Sequence, residues 1–127
     1  MEMIRVDTPP WDEIAASSDY TLFQSKPWID FIAEAQNAEP VFTTVVDQNE
    51  QVGWFTGLLV RKFGLKILGS PFPGWTTSYM GFNLRPHVSR IAALSALFKF
   101  SKAQLGCAQV EVLDRYLTVE EVTAMGY

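Results

Sequence analysis

Only one cysteine, Cys107, and one histidine, His87, occur among the 127 residues. A lone cysteine excludes an internal disulfide framework and a cysteine-based zinc cluster, and it makes an oxidising compartment unnecessary. A lone histidine excludes multi-histidine metal sites. Long apolar runs are missing too. The longest strongly apolar stretch, Val52 to Val60, is interrupted by Gly53, Thr56 and Gly57, whereas a membrane span needs about 18 such residues. The opening Met1-Glu2-Met3-Ile4-Arg5-Val6-Asp7 has neither the basic region nor the apolar core of a signal peptide. These absences lead to the expectation of a soluble, cytoplasmic protein without a transmembrane segment.

Acid is missing from one half of the chain. From Gln51 to Val110 there is no Asp or Glu, while Arg61, Lys62, Lys66, Arg85, Arg90, Lys99 and Lys102 are all basic. The flanks carry all 14 acids against Arg5, Lys26 and Arg115, and the net charge is −4. A basic middle can attract a phosphate-bearing partner, but acidic flanks folded back onto it would neutralise it. We expect neutralisation. The seven cations lack the aromatic interleaving of a single-strand nucleic-acid track, so direct nucleic-acid readout is not expected.

What is present suits a folded domain. The chain is 48% hydrophobic and 13% aromatic, too apolar for disorder, and its length fits one domain with a real core.

Ile4-Arg5-Val6 reads as a short strand, and Thr8 as the cap of a helix carrying Trp11, Ile14 and Ala15. Ser25 and Pro27 open a second helix to about Asn37, with Trp28, Phe31, Ile32 and Ala35 as its apolar stripe. Val41–Val46 and Val52–Arg61 form a hairpin about Asp47-Gln48-Asn49-Glu50. Large apolar groups on both faces of the second strand suit an interior strand. Phe63-Gly64 turns the chain into Leu65–Leu68; after an irregular stretch, Ser78–Phe82 is again extended. Pro86 opens a long helix to about Gln104, with Ile91, Leu94, Leu97, Phe98 and Leu105 inward and Gly106 as its stop. Cys107–Leu113 is a strand, and Thr118 with Glu121 caps a last helix. The order β-α-α-β-β-β-β-α-β-α predicts an α/β fold, an α+β arrangement on a mixed sheet. Its final edge is unpaired, which suggests a domain truncated at its C-terminal end.

The best binding candidate is the loop Trp75-Thr76-Thr77-Ser78-Tyr79, with Trp75, Thr76, Thr77 and Tyr79 as substrate-binding residues. It joins aromatic surface and hydroxyls in a segment held irregular by Pro71, Pro73 and Gly74. The competing reading folds Trp75 and Tyr79 onto the core, with the hydroxyls bonding local backbone. No nucleophile constellation is visible. Cys107 begins an apolar strand, His87 sits in a helix's first turn, and no Gly-x-Ser-x-Gly elbow occurs. Catalytic residues therefore remain unassigned. The pairs Asp12-Glu13 and Glu120-Glu121 sit in first turns, where the helix dipole accounts for them.

Trp11 on a first helix, followed by Leu22-Phe23-Gln24-Ser25-x-Pro27-Trp28, resembles the start of FemAB-like proteins of the GNAT acyltransferase superfamily. Val52-Gly53 in a hairpin, the Gly69-Ser70-Pro71 loop, an aromatic-glycine strand and a long helix add to the likeness. The resemblance covers nearly all of residues 1–127, as the N-terminal GNAT-like half of such a protein. It implies acyl or aminoacyl transfer to an amine-bearing acceptor, with the C-terminal half or a homodimer mate as partner. Direct attack by the amine needs positioning and an oxyanion donor rather than an enzyme nucleophile.

Two departures narrow that implication. GNAT domains hold the coenzyme A pyrophosphate on an Arg/Gln-x-x-Gly-x-Gly/Ala turn before a helix. The nearest match, Arg61-Lys62-Phe63-Gly64-Leu65-Lys66, lies between two strands and reads as a hairpin turn. No cofactor is therefore expected on this segment, and an acyl-CoA or aminoacyl donor would bind elsewhere in a full-length protein. Where the peptidoglycan branch carries Pro-Arg-Gly-Pro, this chain has Tyr79-Met80-Gly81-Phe82, so a muramyl-peptide acceptor is not implied. The alternative function is a non-catalytic binding module that kept the fold.

Overall fold

The computed structural model describes residues 1–72, 77 and 79–117. The helix expected after Thr118 lies outside them. Strands β1 (Glu2–Val6), β2 (Glu39–Asp47), β3 (Glu50–Lys62), β4 (Leu65–Ser70), β5 (Gly81–Leu84) and β6 (Gln109–Val112) form one mixed sheet. Helices α1 (Trp11–Ala15), α2 (Lys26–Ala35) and α3 (Arg90–Phe100) cover it, with a 3-10 turn at Leu22–Gln24 and a π turn at Ser101–Leu105. This is the mixed α+β class expected, and the elements up to β6 follow in the expected order.

β3 organises the sheet. β2 pairs with it antiparallel along nearly its whole length, and β4 and β5 share its other edge end to end. β4 covers Leu58 to Lys62 and β5 covers Gly53 to Thr56. β6 runs parallel to β4, so α3 lies within the crossover that parallel pairing requires. Phe55 and Leu59 of β3 pack with Phe82, Leu94, Leu97 and Phe100 on the α3 side. Leu58 packs with Ile29, Ile32, Phe72 and Met80 on the α2 side. Burial on both faces explains why β3 lacks a polar face. A register shift at Val45/Val46 puts Val52 in the cluster with Phe55 and Leu59, off the alternation that the sequence predicts.

Several boundaries and faces differ from the sequence reading. α1 starts after Pro10 with no side-chain cap, so Thr8 does not cap it. α2 ends at Ala35, where Asn37 takes φ +51° and Ala38 N donates to Ala33 O at 2.9 Å. Its buried face is Ile29 and Ile32, whereas Phe31 is 56% exposed and Ala35 is exposed. The stripe is rotated because the helix sets its isoleucines on Leu58. Trp28 and Phe31 meet at a tilt of 49° at the edge, their ring centroids 5.6 Å apart. β5 begins at Gly81, later than expected, because Met80 N still bonds across to Leu113 O.

Pro86 and His87 belong to a turn, with His87 at φ +71°; α3 starts only after Ser89, whose Oγ accepts from Ala92 N at 3.1 Å. Its fully buried residues are Ala93, Leu94, Ala96, Leu97 and Phe100, while Ile91 and Phe98 are half-buried. Gly106 does end the helix, in the left-handed region at φ +67°. No helix among the described residues is long and apolar enough to cross a membrane.

Candidate functional site

β4 ends in mid-sheet, and the irregular stretch after Ser70 leaves from its carboxyl end, beside the end of β6. Such carboxyl ends are where open sheets with parallel strands commonly place their ligands. The join is tight. Ser70 Oγ accepts from Gly81 N at 2.7 Å and donates to Thr56 O, so one hydroxyl links β3, β4 and β5. A Cβ on Gly81 would stand 2.6 Å from Asp114 Oδ2, and one on Gly69 would stand 2.4 Å from the Phe72 ring.

Trp75 and Thr76 lie outside the described residues. Thr77 is 4% exposed, and its Oγ1 accepts from Trp28 Nε1 at 2.8 Å. That hydroxyl fixes the loop to α2. Tyr79 is 44% exposed and stands at the surface. Gln24 Nε2 donates to Met80 O at 3.2 Å, a second tie between the loop and the segment preceding α2. Trp28 also meets Phe23 edge-on, with centroids 5.3 Å apart, so the anchor is itself packed.

Beneath the loop lies a polar cluster that the sequence reading missed. Asn83, buried within β5, donates to Gln24 Oε1 at 2.9 Å and to Asp19 Oδ1 at 3.4 Å. Asp19 Oδ2 accepts from Leu84 N at 2.9 Å and from Arg90. Arg90 lies 3.6 Å from Asp114 Oδ2 on its other side, and its guanidinium sits 4.7 Å from the Tyr116 ring centroid. Asp114 in turn accepts from Phe82 N at 3.1 Å and Tyr116 N at 2.9 Å. Both carboxylates are thus committed to one guanidinium and to backbone donors. They hold the N-terminal segment, β5, α3 and the segment after β6 together, and neither is a free base. The only signals in sequence were a polar residue inside Gly81-Phe82-Asn83-Leu84 and single acids in loops.

The remaining reactive groups do not converge. Burial pushes the Cys107 thiol up, with Lys66 opposing it more weakly, which disfavours the thiolate that attack requires. Cys107 follows the far end of α3 and His87 precedes its start, roughly 24 Å of helix apart. No group of three metal-ligating side chains occurs among the described residues. The segment before α3, Arg85-Pro86-His87-Val88-Ser89, has no glycine, and Ser89 uses its hydroxyl on Ala92 N. This is a poor phosphate cradle. Arg61 to Lys66 is a hairpin turn, with Lys62 paired to Leu65.

Among the described residues, the flanking acids pair with only part of the basic middle. Arg85 pairs with Glu50 at 3.0 Å and Arg90 with Asp19 and Asp114. Arg61, Lys62, Lys66, Lys99 and Lys102 form no ion pair among the described residues. Comparison with protein-family models, with curated proteins and with solved structures finds no match for this chain.

Proposed function

We propose that this domain is the acceptor-shaping, N-terminal GNAT-like half of a FemAB-like N-acyltransferase. An acyl or aminoacyl group would pass to an amine held at the loop of residues 71–80. One observation carries this reading. Gln24 and Trp28, two residues of the Leu22-Phe23-Gln24-Ser25-x-Pro27-Trp28 motif behind the resemblance, both hydrogen-bond to the described residues of the loop. The motif and the loop are far apart in sequence, and a shared task at one site explains both.

The loop supplies an exposed aromatic, Tyr79, on a firmly held base. That arrangement can position an acceptor, which is the larger part of catalysis by direct amine attack. The glycine-free entry to α3 supports a donor site on a C-terminal half or a homodimer mate, where acyl-CoA or an aminoacyl donor would bind. The lone, buried Cys107 suits the reducing cytoplasm as compartment.

Calorimetry with acetyl-coenzyme A, run alongside a measurement of oligomeric state, tests the division of labour. Absence of binding is expected. Saturable micromolar binding would overturn the half-enzyme reading in favour of a complete small acetyltransferase. A panel of peptide and sugar amines, followed by amide chemical shifts, tests the acceptor side. Shifts at Tyr79 and Met80 that Tyr79→Ala removes are expected. A panel that leaves the loop unmoved would favour a binding module of another kind.

A further inference from the structure

The turn between β3 and β4 is built against its own stability. Phe63 takes φ +53° and Gly64 φ +79°, the left-handed pair that a two-residue hairpin turn demands, where Asn, Asp and Gly are the usual choices. Phenylalanine there carries backbone strain. Its ring gains nothing in return, since Phe63 is fully exposed at 102%. Beside it Leu65 is 54% exposed. Arg61 and Lys66 stand directly opposite each other across the two strands, an arrangement in which like charges repel. Lys62 adds a third cation. Glu39, which shares a shallow hollow with Arg61, is occupied by Arg5 at 3.2 Å.

A strained apolar residue at the apex, and cations on its shoulders that form no ion pair among the described residues, are two local costs with one compensation. We infer that this tip docks on an anionic lipid surface, Phe63 and Leu65 entering the headgroup–acyl boundary while Arg61, Lys62 and Lys66 meet lipid phosphates. Phe63 projects from the hairpin tip and no side chain among the described residues covers it, so the tip offers no groove for a peptide. A projecting apolar apex flanked by cations matches the layered chemistry of an anionic bilayer surface. Docking of the tip does not depend on the acyl-transfer reading, and it places the chain at a membrane surface.

Cosedimentation of the full chain with phosphatidylcholine vesicles, with or without about 30% phosphatidylserine, provides the test. Binding is expected only with the anionic lipid, and it should fall steeply as salt rises from about 0.1 to 0.5 M. Phe63→Asn should weaken it at least about tenfold, and the double change Arg61→Ser with Lys66→Ser about 25-fold. Asparagine suits the positive φ, so the first variant keeps its fold, which a thermal melt verifies. No binding to anionic vesicles would overturn the proposal in favour of a protein partner that receives the tip. Equal binding to neutral vesicles, or binding that Phe63→Asn leaves unchanged, would overturn it as well.

Discussion

The two ends of β3 turn back on the same backbone with opposite materials. At one end Gln48 and Asn49 take φ +51° and +64° between the paired Asp47 and Glu50. At the other, roughly 40 Å away along the strand, Phe63 and Gly64 do the same between Lys62 and Leu65. The first turn uses polar residues, one of them an asparagine that accepts the left-handed region, and Glu50 meets Arg85 at 3.0 Å. The second seats a fully exposed phenylalanine where the first has Gln48, and its cations form no ion pair among the described residues. Since the geometry is shared, folding does not explain the difference. One turn is chosen for the hairpin, and the other for what lies outside the molecule.

The largest test of the contrast compares a cation from each half of the sheet. Arg90 sits between two nearly buried carboxylates in the β5 half, with side chains 8% and 1% exposed. Arg90→Leu leaves both without their counter-charge and should cost about 3–5 kcal/mol in urea unfolding. Arg61→Leu removes an exposed cation facing Lys66 and should be close to neutral. Comparable losses from both would end the idea that only one half uses its cations internally.

Glycines give the next effect down. Gly81 has φ +85° and would place a Cβ 2.6 Å from the Asp114 carboxylate, whereas Gly64, at φ +79°, has nothing within 4 Å. Gly81→Ala should cost about 2–4 kcal/mol, through strain together with displacement of a buried acid. Gly64→Ala should cost only the strain, about 1 kcal/mol. Similar melting points for the two variants would mean that Asp114 shifts freely, and that the polar cluster is looser than its bonds imply.

Asparagine placed at one turn and phenylalanine at the other give smaller effects of opposite sign. Phe63→Asn should raise stability by about 0.5–1 kcal/mol, because asparagine tolerates the left-handed region. Asn49→Phe should lower it by about as much. An exposed phenylalanine placed between Asp47 and Glu50 should confer no affinity for anionic vesicles. If it did, an exposed ring alone would suffice and the cations would be incidental.

Most elements, and their order, were legible because periodicity is local. The strand formers of β2, the apolar groups on both faces of β3, the Phe63-Gly64 turn and the glycine stop of α3 depend on neighbours within a few residues. What was missed depends on distant ones. The inward face of α2 is rotated onto Ile29 and Ile32 by Leu58 of β3, and nothing within Lys26–Ala35 announces that. The delayed start of β5 follows from Met80 bonding to Leu113. Asp19, Asn83, Arg90 and Asp114 assemble across four separate segments, so no spacing rule connects them. Within the loop, the hydroxyl of Thr77 was recognisable as a hydrogen-bonding group, but not as the partner of Trp28.

The smallest effect joins the cationic tip to the interior. β4 carries Lys66 next to the start of β6, where Ala108 N donates to Lys66 O at 2.8 Å, and the lysine pulls the Cys107 thiol down against the larger upward push of burial. At pH 8 the thiol should therefore react with a disulfide reagent more slowly than a free cysteine, and its rate should climb with pH past the ordinary thiol range. Lys66→Ala removes the opposing charge, so the thiolate fraction falls and the rate should drop further, by no more than about twofold at this partly screened site. Arg61→Ala, across the strand pair, should leave the rate unchanged. A faster reaction in Lys66→Ala would mean that opening of the β4–β6 contact governs access to the thiol, in place of its charge state.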